Sequence, residues 1–289
     1  MTALTELLGV PAGTKVVLLS CDDLGFSHAA NVAVYQALRA GAASSAALMI
    51  PAPWAREAAA RYRGEDVGVH LTVNAEHDLY RWGPITQSPS LLDGDGGFPR
   101  TVADVWEHAD LDEIRREWRA QVERAVYWGF DVSHLNVHLA DVVLRPEFFD
   151  VLIDLAEEFR LPVRLPGADD EQRAGFPFRD LAHGRGVLAP DHVAQPGPEL
   201  PSAAGLAALV ADLQPGVTEL HLHPAVDTPE LRAATPDWQR RVAEHRALTD
   251  PAWPAAVEQA GVLRTSYRQL RELMRSTGAG AVTPAAATT

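Results

Sequence analysis

The stretch that most narrows what this chain can become is Lys15-Val16-Val17-Leu18-Leu19-Ser20-Cys21-Asp22-Asp23-Leu24-Gly25. A run of apolar β-formers leads straight into two adjacent carboxylates and then a glycine. Apolar residues on both faces of a strand suit a parallel sheet covered on both sides. Polar groups just past such a strand stand where α/β folds place their chemistry, at the C-terminal strand ends.

The same alternation continues down the chain. Strands are expected over 44–50, 66–73, 133–138, 162–166, 218–224 and 262–265, about seven in all. Helices are expected between them over 29–40, 54–62, 101–128, 146–159, 202–213, 235–247 and 251–260, with a last one ending near Arg275. This predicts a single α/β domain over 1–275, a distorted (β/α) barrel. A doubly wound sheet is disfavoured because polar residues end at least four strands and no G-x-G-x-x-G or Walker-type loop follows the first. Residues 74–102 predict a long loop, read as a lid over the strand ends. Residues 167–200 show no clear pattern, and 276–289 predict a disordered tail.

A formal net charge of −14 argues against nucleic acid or an anionic membrane as partner and leaves neutral sugars open. The single cysteine, Cys21, excludes an internal disulfide and fits a reducing compartment. No apolar run approaches the roughly 20 residues of a membrane span. The first residues lack the basic region and apolar core of a signal peptide, so a soluble, cytoplasmic protein is the expectation.

Four strand ends carry the candidate chemistry: Asp22 and Asp23 on the first, His70 on the third, His138 on the fourth and His223 on the sixth. One carboxylate with two imidazoles makes a facial ligand set for a divalent metal, with positions left for water and substrate. A second carboxylate can take a proton from water, and a further histidine can give one to a leaving group. His134 and His138 share a strand face but stand about 13 Å apart at roughly 3.3 Å per residue, so they do not share an ion. His138, nearer the strand end, is the expected ligand, with His134 in a supporting or core role. By the same reasoning His223 is preferred to His221. Asp22 and Asp23 face opposite ways in a regular strand, so both reach the site only if the strand ends at Cys21, which a turn at Gly25 allows. Tyr80 and Trp82 suit either stacking on a sugar ring or a small core within the predicted lid.

These segments resemble the YdjC/ChbG-like carbohydrate deacetylases. Leu18–Ser27 is similar to their NADDFGLS opening and Gly68-Val69-His70-Leu71-Thr72 to their G-x-H-L strand. His134-Leu135-Asn136-Val137-His138 is similar to their HxDSH segment, and Thr218-Glu219-Leu220-His221-Leu222-His223-Pro224 to TEL-x-x-HP. The matches come in family order over residues 15–225. The resemblance implies a barrel, often a homodimer, that removes acetyl groups from N-acetylated sugars or oligosaccharides. It implies that Asp23, His70 and His138 bind one divalent metal ion, with zinc and magnesium the leading candidates. Asp22 would be the general base and His223 the general acid, with Arg164 close to the site as a substrate-binding residue. Asn136 and Val137 replace the usual Asp and Ser, and Ala140 and Val142 stand where many members carry further histidines. A chitooligosaccharide substrate is therefore not carried over. Two rivals stand beside this expectation: another metal-dependent amide or ester hydrolase on the same barrel, and a sugar-binding barrel without catalysis.

Overall fold

The computed structural model describes residues 4–278. Its strands are β1 (Lys15–Leu24), β2 (Ser45–Leu48), β3 (Val67–Leu71), β4 (Val132–Val137), β5 (His192–Ala194), β6 (Gly216–Leu222) and β7 (Leu263–Arg264). All pair in parallel, in the order β4-β3-β2-β1-β6-β5, with β7 pairing the start of β1. The sheet curls into a half-barrel flanked by helices, in keeping with the expected distorted barrel. β1 is the axis of this sheet. Every residue from Val16 to Leu24 is buried, as its apolar composition on both faces requires.

The end of β1 departs from expectation in a way that matters for the site. The strand does not stop at Cys21 but runs on to Leu24, whose carbonyl accepts the Met49 N–H at 2.8 Å. Its register against β2 shifts between Cys21 and Leu24, and Asp23 adopts φ of 60°. This irregularity, rather than a strand end, brings both carboxylates to one side. Aspartate is among the few residue types that tolerate such a backbone. Gly25 follows at φ of 92°, and its N–H donates to Asn31 Oδ1. Ser27 then caps the helix His28–Arg39.

Other boundaries are corrected by local chemistry. Residues 162–166 form only an isolated bridge, Val163 to Leu135, because Pro162 and Pro166 lack the N–H groups a ladder needs. The predicted helix 101–128 is two helices, Val102–His108 and Leu111–Tyr127, the second capped by Asp110. The region without a clear pattern holds short helices at Ala168–Ala174 and Phe178–Gly184 and the strand β5, each too brief to show a periodicity. The last helix, Tyr267–Gly278, includes the first residues of the predicted tail; the rest of that tail lies outside the described residues. No helix among the described residues is long and apolar enough to cross a membrane.

His134 is fully buried and stacks on Tyr267, ring centroids 3.7 Å apart. A Cβ at Gly68 would lie 2.4 Å from His134 Nδ1, so glycine is what lets β3 pack against this ring.

Candidate active site

The C-terminal ends of β1, β3, β4 and β6 open into one cleft of about 550 Å³, whose lining includes Asp22, Asp23, His70, His138, His221 and His223. The histidines expected in the site are therefore brought together with both carboxylates.

Asp22 has both oxygens occupied. Arg164 donates from Nη1 to Oδ2 at 2.5 Å and from Nη2 to Oδ1 at 3.0 Å, and Asn136 Nδ2 donates to Oδ1 at 3.1 Å. Burial opposes the charge, but the Arg164 guanidinium and nearby imidazoles hold this carboxyl well below the usual range. Nη2 of Arg164 also donates to Glu219 at 2.6 Å, and Glu219 accepts the Tyr267 hydroxyl. Arg164, expected from the sequence as a substrate contact, lines the cleft. It is buried with both terminal nitrogens engaged by carboxylates, so it anchors Asp22. His221 Nδ1 and His223 Nε2 lie 3.7 and 3.8 Å from Asp22 Oδ2. The His223 side chain is 32 % exposed, open to the cleft, and its backbone N–H is held by Glu244 at 2.6 Å.

Asp23 has one oxygen occupied and one bare. Arg241 donates to Oδ2 at 2.7 Å while its guanidinium lies over the Phe26 ring. Burial again opposes the charge, and Arg241 and His70 hold the carboxyl well below its usual range. Oδ1 is buried without a hydrogen-bond partner. It faces His70 Nε2 at 3.4 Å and His138 Nδ1 at 3.7 Å, and those two nitrogens are 3.4 Å apart. The other nitrogen of each ring is engaged, His70 Nδ1 with Asn136 Oδ1 at 2.8 Å and His138 Nε2 with Glu76 Oε2 at 2.9 Å. Both partners are acceptors, so those ring nitrogens carry protons, and the remaining nitrogen of each ring faces the bare carboxylate oxygen. Burial opposes a second proton on His138, but Glu76 and Asp23 raise its pKa to about 9. A proton and a cation thus compete for the same electron pair.

The donor set fits a metal ion. A point equidistant from the three atoms lies about 2.0 Å from each, within the range of metal–nitrogen and metal–oxygen bonds. Asp22, His221 and His223 also cluster closely enough to ligate. There, however, both oxygens of Asp22 already accept hydrogen bonds from Arg164 and Asn136, whereas Asp23 keeps one oxygen bare.

Tyr80 and Trp82 are not in the cleft lining. Trp82 is 5 % exposed and donates from Nε1 to Asn74 O, Tyr80 donates to Phe26 O, and both rings pack edge-on against Phe26. Of the two expectations for these residues, sugar stacking or a small core within the loop, this packing supports the second. Glu76 and Arg241 were not foreseen. Their contacts to His138 and Asp23 span 62 and 218 residues, and neither carries a local signal.

A family model described as YdjC-like protein matches residues 16–259. A carbohydrate deacetylase of Thermus thermophilus is 36 % identical over 254 residues, covering 86 % of this chain and 91 % of its own length. A carbohydrate deacetylase of Geobacillus stearothermophilus is 30 % identical over 263 residues, covering 90 % and 99 %. A solved structure from Enterococcus faecalis, described as a cellobiose-phosphate cleavage protein, shares the fold with a TM-score of 0.76 at 23 % identity, covering 89 % of this chain and 99 % of that one.

Proposed function

The chain belongs to the YdjC-like family, and from that premise we propose that it is a carbohydrate deacetylase that hydrolyses the N-acetyl group of a sugar with one divalent ion. The observation that carries this reading is the bare Oδ1 of Asp23, facing two imidazole nitrogens beside the Asp22–His223 pair. Asp23, His70 and His138 would hold the ion, for which zinc suits a carboxylate with two imidazoles. When bound, such an ion supplies Lewis acidity toward the acetyl carbonyl and acidifies water in the cleft.

The proton transfers fall to the chain itself. Asp22, kept ionised by Arg164, accepts a proton from the attacking water as its oxygen bonds to the acetyl carbon. His223, 3.8 Å away, gives a proton to the nitrogen as the C–N bond breaks, because an amine is too basic to leave as an anion. Acetate and the free amino sugar result.

The cleft also bears on the substrate. Glu76, Asp141, Asp170 and Asp237 line it, while its two arginines, Arg164 and Arg241, are both engaged by carboxylates. A neutral sugar suits this surface; a phosphorylated one meets like charge, with both guanidinium groups already paired to carboxylates.

The test is acetate release from N-acetylglucosamine, its oligomers and nucleotide- or lipid-linked forms, with ion-loaded and chelator-stripped enzyme. Acetate from at least one substrate, lost on stripping, is the expected result. Hydrolysis of a different amide or ester with no acetate from any of these sinks the reading. A purified protein that holds no divalent ion and is indifferent to His70→Ala points to a binding barrel instead.

A further inference from the structure

Each atom facing the ion position is backed by a partner from elsewhere in the chain: Asp23 by Arg241, His70 by Asn136 and His138 by Glu76. Asn136 is on β4 and Arg241 on the helix Trp238–Leu248. Glu76 alone comes from the long loop that joins β3 to the helix starting at Val102. Its Oε2 lies 2.9 Å from Nε2 of a His138 side chain that is 7 % exposed. A carboxylate only accepts, so this contact keeps a proton on Nε2 and points the Nδ1 lone pair at Asp23 Oδ1 and His70 Nε2.

The loop that presents Glu76 is braced. Ala75 N–H donates to Pro99 O and Phe98 N–H to Trp82 O, while Glu117 accepts the N–H groups of Ile85 and Thr86. We propose that Glu76 is a positioning residue that fixes the tautomer and orientation of His138 and so couples ion binding to docking of this loop. The coupling is reciprocal: whatever affinity the ion gains from Glu76, the docked loop gains in stability from the ion. The inference rests on the ion site of the proposed function and not on the reaction.

Calorimetric titration of the metal-free protein with Zn²⁺ or Mn²⁺ tests it without substrate. Glu76→Gln is expected to weaken ion affinity about 10- to 100-fold, the scale for loss of such an outer partner. Glu76→Asp, which keeps the charge on a shorter arm, should recover part of that loss. In the native protein the ion should slow hydrogen exchange at Ala75 and Phe98, and in Glu76→Gln that slowing should disappear. Matching thermal melts of the metal-free proteins show that the fold is intact. Unchanged affinity in both Glu76→Gln and Glu76→Ala overturns the proposal, as does a native protein that binds neither ion. Weakened ion binding in a protein that releases no acetate supports it while sinking the deacetylase reading, so the two failures are distinguishable.

Discussion

Asp22 and Asp23 follow one another in β1, each 1 % exposed, and differ in what fills their lone pairs. Around Asp22 a guanidinium approaches both oxygens and an amide adds a third hydrogen bond. Around Asp23 a guanidinium takes one oxygen and leaves the other bare before two imidazole nitrogens. Both carboxyls are held well below the usual range by an arginine, so charge does not tell them apart. Vacancy does. A buried anion with a bare oxygen is an unfinished arrangement, completed by a cation or a proton; one with its oxygens occupied has no such demand.

The largest effect expected from breaking this contrast is in Asp23→Asn. Ion binding and acetate release should fall together, activity by about 10³-fold or more, since ligand and catalysis act as a unit. Calorimetry and an acetate assay on one preparation check it. Asp22→Asn should lower kcat about 10²- to 10⁴-fold, the usual reach of a general base, with ion affinity held within about threefold. If both variants shed the ion alike, the division of roles is wrong. His223→Gln should cost about 10²-fold on the amide and spare an activated aryl acetate, whose phenolate leaves without a proton. Equal losses on both substrates would remove His223 from the role of acid. The smallest effect concerns the acidic lining: a 6-phosphorylated N-acetyl sugar should show kcat/KM about tenfold below its neutral parent, with the gap narrowing as salt screens the charge. Equal or faster turnover of the phosphate would refute that part of the reading.

Much of this was legible in the chain because the sheet is parallel and buried. Apolar runs mark β1 and β3, alternating polar and apolar residues mark β4 and β6, and a polar residue at the end of each points to the cleft. That rule places His70, His138 and His223 at the cleft, whose lining holds all three. What could not be read depended on contacts that sequence distance hides. Arg164 could be placed near the site, but whether it met substrate or Asp22 is decided by burial. Tyr80 and Trp82 look the same in sequence whether they face a sugar or Phe26. A regular strand brings Asp22 and Asp23 together only by ending before them, whereas the protein uses a backbone irregularity after which β1 pairs β2 again at Leu24.

The hydroxyl of Tyr267 on Glu219 has a consequence for how the protein matures. Glu219 holds Arg164, and Arg164 holds Asp22, so the last described helix sits at the far end of a chain of contacts that begins at Asp22. A ribosome that has completed every side chain facing the cleft has not yet made the residue that finishes this chain. During synthesis the chemistry should therefore arrive late and all at once, and a product terminated shortly before Tyr267 would carry both carboxylates and all the cleft histidines without the support that sets Asp22.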